Sequence, residues 1–245
     1  MDDRRCVDMS TVVAIDGPSG SGKSSVSLAV AARLGFDYLD TGAVYRALGW
    51  QCLELNVDLD SSGAVLAALR AAHLTIGTDP RHFSVSVNGR DIGDLIRVPR
   101  IAAAASSVAA LPAIRSELMQ MFQAIIVKSE APGIVVEGRD ITTVVAPDAA
   151  VRILLTASAE ARLGRRSAQF NDPGSAGTAE RRGAGGPSAD QFSAEEFHAR
   201  DVKDSRVVDF MAAAPGVSIV DSTGLLFEQT VEAVVDLVIA SAHPS

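Results

Sequence analysis

VVAIDGPSGSGKSS, residues 12–25, decides how the rest of the chain is read. Gly17, Gly22, Lys23 and Ser24 fit the pattern G-x-x-x-x-G-K-[ST] without a mismatch. Residues 11–16 before it form a short apolar run, as in a buried strand. Residues 23–34 after it hold few helix breakers, and Gly35 stands where a helix stops. Glycines let the backbone curl until successive N–H groups point at one anion. The start of a helix adds unpaired donors and a partial positive charge. In such a loop Lys23 reaches the β- and γ-phosphates of a nucleoside triphosphate, and the Ser24 hydroxyl sits on Mg²⁺. Asp16, just before it, either helps order metal-bound water or acts as a structural cap.

The bulk numbers narrow the class. A chain of 245 residues buries one sizeable core, with or without appended lobes. Its net charge of −8 argues against a general nucleic-acid binder. Cys6 and Cys52 are isolated, without metal spacing or a disulfide framework, which points to a reducing compartment. The polar start and the lack of a long apolar run give the expectation of a cytoplasmic protein with no leader and no membrane span. Lys23, Lys128 and Lys203 are the only lysines, so arginine, the better bidentate phosphate ligand, supplies the other basic groups.

Outward from the loop, short apolar strands alternate with helices. Strands are expected at 36–39, 134–137, 151–155 and 217–220, besides the first. Helices are expected at 43–55, 61–73, 98–109, 112–129, 158–170, 193–211 and 225–240. Between the helices expected at 61–73 and 98–109 the period changes. Residues 74–76 and 83–87 alternate apolar with polar, and Asn88-Gly89 is a hairpin signal. The fold predicted is α/β: a P-loop three-layer fold with a five-stranded, mostly parallel sheet, an inserted lobe with a small antiparallel sheet, and a lid. Residues 11–60 and 98–240 would be the core, 61–97 the inserted lobe, 162–195 the lid and 1–10 a loose tail. Ligands in such a sheet gather beyond the carboxyl ends of the strands, where Thr41, Arg139 and the phosphate loop all lie.

Three classes share a complete phosphate loop. GTPase switches need an N-K-x-D segment, and none of the lysines has that context. Motor and transport ATPases usually end an apolar strand in Asp; here the strand at 134–137 ends in Glu137-Gly138. Small-molecule kinases need a cationic cage, and arginines recur at strand ends and on the helices around the loop. If the acceptor is a nucleoside monophosphate, its phosphate is already an anionic nucleophile near pH 7. Catalysis is then alignment, charge neutralisation and water exclusion. A kinase for another small metabolite, and a nucleotide-binding regulatory module without turnover, remain alternatives on the motif alone.

Seven stretches in order resemble the bacterial cytidylate kinases (CMP kinases) of the nucleoside monophosphate kinase family: IDGPSGSGKS at 15–24, YLDTGAVYR at 38–46, SSVAALPAIR at 106–115, VVEGRDITTVV at 135–145, PDAAVRILLTASAEAR at 147–162, RDVKDSR at 200–206 and VDST at 220–223. The resemblance implies ATP-dependent phosphorylation of CMP and dCMP with Mg²⁺, by a monomer that binds neither nucleic acid nor membrane. It implies that Gly17, Pro18, Ser19, Gly20, Ser21, Gly22, Lys23, Ser24 and Ser25 bind ATP, with Ser24 as the metal ligand. Thr41 would stand near the acceptor phosphate, and Arg46 and Arg139 would clamp it. Ser106, Arg115 and Asp140 would read the cytosine edge. Arg200 and Asp204 would hold the pentose hydroxyls, and Arg206 would reach the phosphate region. Arg162, Arg165 and Arg166 would be lid arginines which, with Lys23 and Arg139, serve the transfer. Arg206 stands one residue closer to the Asp-Ser pair than in the family, and the loop at 171–190 is unusually rich in Gly and Ala. Without the resemblance, Arg46 reads as a solvated helix face, Arg200 with Asp204 as an i,i+4 ion pair, and Tyr45 as either a base platform or a packing residue.

Overall fold

The computed structural model describes residues 11–171 and 212–242, with side chains through 165 in the first segment. The expected tail, most of the expected lid, the helix expected at 193–211, Arg200, Asp204, Arg206 and the Arg166 side chain lie outside the described residues.

The phosphate-loop motif joins strand β1 (Thr11–Asp16) to helix α1 (Lys23–Leu34), which ends at Gly35 in a left-handed conformation. Then come β2 (Asp37–Asp40), α2 (Thr41–Glu54) and α3 (Ser62–Ala71). Asp40 caps α2 through the Ala43 N–H, and Ser61 caps α3 through the Ala64 N–H, so both helices start at residues whose side-chain oxygens satisfy an orphan donor. The small strands β3 (Leu74–Ile76), β4 (Val85–Val87) and β5 (Arg90–Asp91) follow. After a 3₁₀ turn come α4 (Pro99–Ala109) and α5 (Pro112–Lys128), each with Pro in its first turn, where a missing N–H costs nothing. The core resumes with β6 (Gly133–Gly138), a π-helical turn at Ile141–Val145, β7 (Val151–Thr156), α6 (Ala159–Asn171), β8 (Ser218–Asp221) and α7 (Phe227–Ala242).

The main sheet has the order β2-β6-β1-β7-β8, and every neighbouring pair is parallel. Its register brings Asp16 opposite Gly138, Asp40 opposite Glu137 and Thr156 opposite Asp221, so the carboxyl ends of all five strands finish at one edge. Alternate side chains divide the core. Val13, Ile15, Val135, Ile153 and Leu155 pack under Val26, Val30, Val231 and Val234 of α1 and α7. Ala14, Leu39, Ile134 and Val136 pack under Val44, Leu48, Leu118 and Phe122 of α2 and α5. This is the three-layer α/β arrangement expected from the sequence.

The order β3-β4-β5 makes a separate antiparallel sheet. Asn88 and Gly89 both have positive φ, at 52° and 79°, as a two-residue hairpin turn requires. Val85, Val87 and Ile92 pack on Ala43, Ala47 and Trp50 of α2, and Arg90 lies 5.2 Å over the Trp50 ring. The small sheet thus braces the helix that carries Thr41 and Arg46. Among the described residues no helix is long and apolar enough to cross a membrane.

Candidate active site

The loop between β1 and α1 is held from its carbonyl side by cations. Lys23 Nζ donates to the carbonyls of Gly17 at 2.6 Å and Pro18 at 2.9 Å. Arg139 donates to the Gly17 carbonyl at 2.9 Å and to Ser19 Oγ at 2.8 Å. Arg162 donates to the Ser19 carbonyl at 3.0 Å, and Arg165 to the Ser21 carbonyl at 3.1 Å. Arg165 also binds the hydroxyl and carbonyl of Ser222, beyond β8, which fixes the start of α6 against the loop. In a trans peptide the N–H points away from the preceding C=O. Cations on the carbonyls of Pro18, Ser19 and Ser21 therefore turn the N–H groups of Ser19, Gly20 and Gly22 the other way, as an anion cradle needs. Gly17 has φ 149°, and a Cβ there would collide with the Leu155 carbonyl of β7. Side chain is excluded at that point by backbone approach.

One residue at this centre was not singled out from the sequence. Glu137, at the end of β6, is 3% exposed. It accepts from the Tyr38 hydroxyl at 2.8 Å and from the Ser24 hydroxyl, with Lys23 and Asp40 close by. Burial pushes its carboxyl above the usual range, and Asp40 pushes the same way; Lys23, Ser24 and Tyr38 oppose them. The signal was present in the sequence, as an acid closing an apolar strand, but it was Glu where Asp was sought. The Thr41 hydroxyl donates to the Glu137 carbonyl at 2.8 Å, which ties the start of α2 to the same strand end.

Asp16 resolves as a cap. Its carboxylate is buried and accepts from the Ile141 N–H at 2.9 Å, the Thr142 N–H at 2.8 Å and the Thr142 hydroxyl at 2.6 Å. It thereby fixes the π-helical turn that follows Arg139 and Asp140 against the strand that leads into the loop.

Beside this turn lies a cavity of about 200 Å³, lined by Tyr45, Arg115, Ser116, Met119, Phe122, Asp140, Val144 and Val145. Arg115 donates to Asp140 Oδ2 at 2.6 Å. Burial raises the Asp140 carboxyl; Arg115 opposes that and Asp16 adds to it. The Tyr45 ring meets Phe122 edge to face at 6.0 Å, so Tyr45 both packs and lines the cavity. Arg46, its neighbour on α2, pairs with Asp40 at 2.8 Å. Ser106 is buried on α4 and lies outside the lining of this cavity. The structure thus brings together Lys23, Arg139, Arg162 and Arg165 at the loop, and Arg115 with Asp140 at the cavity. Arg139 and Asp140, adjacent in sequence, face one to each.

A family model described as cytidylate kinase matches residues 13–240. The chain is 43% identical over 230 residues to a cytidylate kinase of Streptomyces griseus, covering 94% of this chain and 93% of the relative. It is 40% identical over 229 residues to one of Streptomyces avermitilis, covering 93% and 92%. It is 41% identical over 234 residues to one of Pseudomonas paraeruginosa, covering 93% of each.

Proposed function

The chain belongs to the cytidylate kinase family and is a CMP kinase, and we propose that it moves the γ-phosphoryl group of ATP onto the phosphate of CMP or dCMP by in-line displacement, with Mg²⁺. A CMP phosphate oxygen forms the new P–O bond as the bond to the ADP oxygen breaks. The acceptor is already ionised near pH 7, so no general base is needed. The chain's task is to bring two anions together and keep water away.

The loop from Gly17 to Ser25 would cradle the β- and γ-phosphates of ATP through its N–H groups, with Lys23 moving from the carbonyls to the phosphate oxygens. Arg139, Arg162 and Arg165, which lie on the loop carbonyls, would likewise turn to the transferred group as charge builds on it. Arg46, and Thr41 at the start of its helix, would take the acceptor phosphate. Ser24, backed by Glu137, suits a hard cation that keeps most of its waters and takes few protein ligands. Ser24 would hold Mg²⁺, with Glu137 orienting its hydroxyl; the ion would supply charge neutralisation for the triphosphate. The roles of Arg166, Arg200, Asp204 and Arg206, and the contact of Ser106 with the base, rest on the resemblance to the family. A cytoplasmic monomer working on free nucleotides completes the reading.

The Arg115–Asp140 pair in the cavity carries the choice of base. Cytosine offers acceptors at O2 and N3 and a donor at its 4-amino group, so a guanidinium and a carboxylate side by side complement it. Uracil reverses the pattern at positions 3 and 4 and would set its O4 against the Asp140 carboxylate. An ADP-release assay with CMP, dCMP, UMP and AMP tests this. CMP and dCMP should lead; UMP or AMP clearly exceeding CMP would overturn the assignment.

A further inference from the structure

We propose that Asp40 is a positioning residue for the acceptor phosphate: its carboxylate holds the Arg46 guanidinium at the start of α2. The inference deepens, and rests on, the reading of Arg46 as a phosphate clamp. Long side chains on a helix lean toward its N-terminus. Arg46 does so, and its NH2 group reaches back to Asp40 Oδ2 at 2.8 Å. That is an unfavourable place for a lone cation, because a helix N-terminus carries partial positive charge. An unpaired guanidinium there would swing out to solvent, where its rotamer freedom also returns.

Asp40 removes the conflict with its two oxygens. Oδ1 accepts the Ala43 N–H at 2.7 Å and caps the helix; Oδ2 takes Arg46. The pair passes over bare backbone. A Cβ at Gly42 would lie 3.1 Å from Asp40 Oδ1 and 3.2 Å from an Arg46 terminal nitrogen. Only one donor of the fork is used by Asp40, and Arg46 Nε is buried without a hydrogen-bond partner among the described residues. The guanidinium is thus held by one corner while donors remain for a ligand. A cation fixed at a helix N-terminus, with its own counter-charge behind it, is a site for a phosphate. Glu137 stands beside Asp40 and faces Lys23, so adjoining strand ends each set a carboxylate behind a cation, one on the acceptor side and one on the donor side.

Asp40→Asn separates capping from charge, because Asn caps a helix as well as Asp does. CMP binding is measured by calorimetry without ATP, together with KM for CMP and for ATP, in the wild type, Asp40→Asn, Arg46→Ala and the double variant. In Asp40→Asn the CMP dissociation constant and KM should rise about tenfold, with KM for ATP held within about twofold and Tm nearly unchanged. In the Arg46→Ala background the second substitution should add nothing. Unchanged or tighter CMP binding in Asp40→Asn, beside weakened binding in Arg46→Ala, overturns the positioning role alone. So does an Asp40→Asn effect that persists without Arg46. Unchanged CMP binding in Arg46→Ala overturns the clamp itself, and the inference with it.

Discussion

The two ends of this site are built by different means. The proposed donor end is a run of consecutive residues, Gly17–Ser24, whose backbone would be the binding surface. The cavity proposed for the acceptor has no such run: Tyr45 comes from α2, Arg115 from α5 and Asp140 from the turn after β6. A backbone cradle takes any polyphosphate, since every residue but proline presents the same N–H. A cavity of side chains from three elements can discriminate a base, since each contributes a different donor or acceptor. Between them runs the Gly138-Arg139-Asp140 turn, pinned by Asp16, with Arg139 on the loop and Asp140 in the cavity. The general half and the selective half are therefore coupled through neighbouring residues of one chain segment.

Substitutions at the two ends should fail in different ways. The largest effect is expected for Lys23→Ala. Its Nζ orders the loop carbonyls and would serve the transferred phosphate, so kcat should fall by about 10²–10³-fold or more for every acceptor, with the far-ultraviolet dichroism unchanged. A fall restricted to CMP would break the division between the two ends. Next in size, Asp140→Asn should cut kcat/KM for CMP by about 10–100-fold while raising UMP relative to CMP, because the amide can donate to uracil O4. The pH profile sharpens this. Burial holds the Asp140 carboxyl above the ordinary Asp range, and the ionised form is the one that would accept from the cytosine amino group. Wild-type kcat/KM for CMP should be full above that value and decline as pH falls through it, and Asp140→Asn should lose this limb. An acid limb of the same size in both proteins would assign it elsewhere. The smallest effect is expected away from both ends. Gly89 has φ 79° with open space around a Cβ, so Gly89→Ala should cost about 1 kcal/mol, a loss of roughly 2–4 °C in Tm, with both KM values unchanged.

What could be read in advance follows the same division. β1, α1 and their loop were legible to the residue, because a buried strand, a glycine turn and a helix stop are all local. The paired strands and the Asn88-Gly89 hairpin were legible for the same reason. The π-helical turn at Ile141–Val145 was not. It exists because the Asp16 carboxylate, 125 positions away, takes the N–H of Ile141. Asp16 had two readings in the sequence, and only its partners chose between them. Tyr45 likewise could stack or pack until Phe122 and the cavity were placed around it. Glu137 entered the sequence reading only as the end of a strand, because its importance lies in its neighbours, Ser24, Tyr38, Lys23 and Asp40, which come from two other segments of the chain.

By itself, then, the sequence determined that this is a parallel α/β sheet with a triphosphate loop, since those features depend on short-range periodicity and backbone freedom. Its stretches also carried the likeness to the cytidylate kinases. The tertiary structure alone decided which loop carbonyl each cation takes, that Arg115 pairs with Asp140 in a cavity whose lining leaves out Ser106, and that Asp40 stands behind Arg46. Those are pairings between charged groups, and burial decides their partners and their strength. A charge written in a sequence has a sign but no surroundings; folding supplies the surroundings.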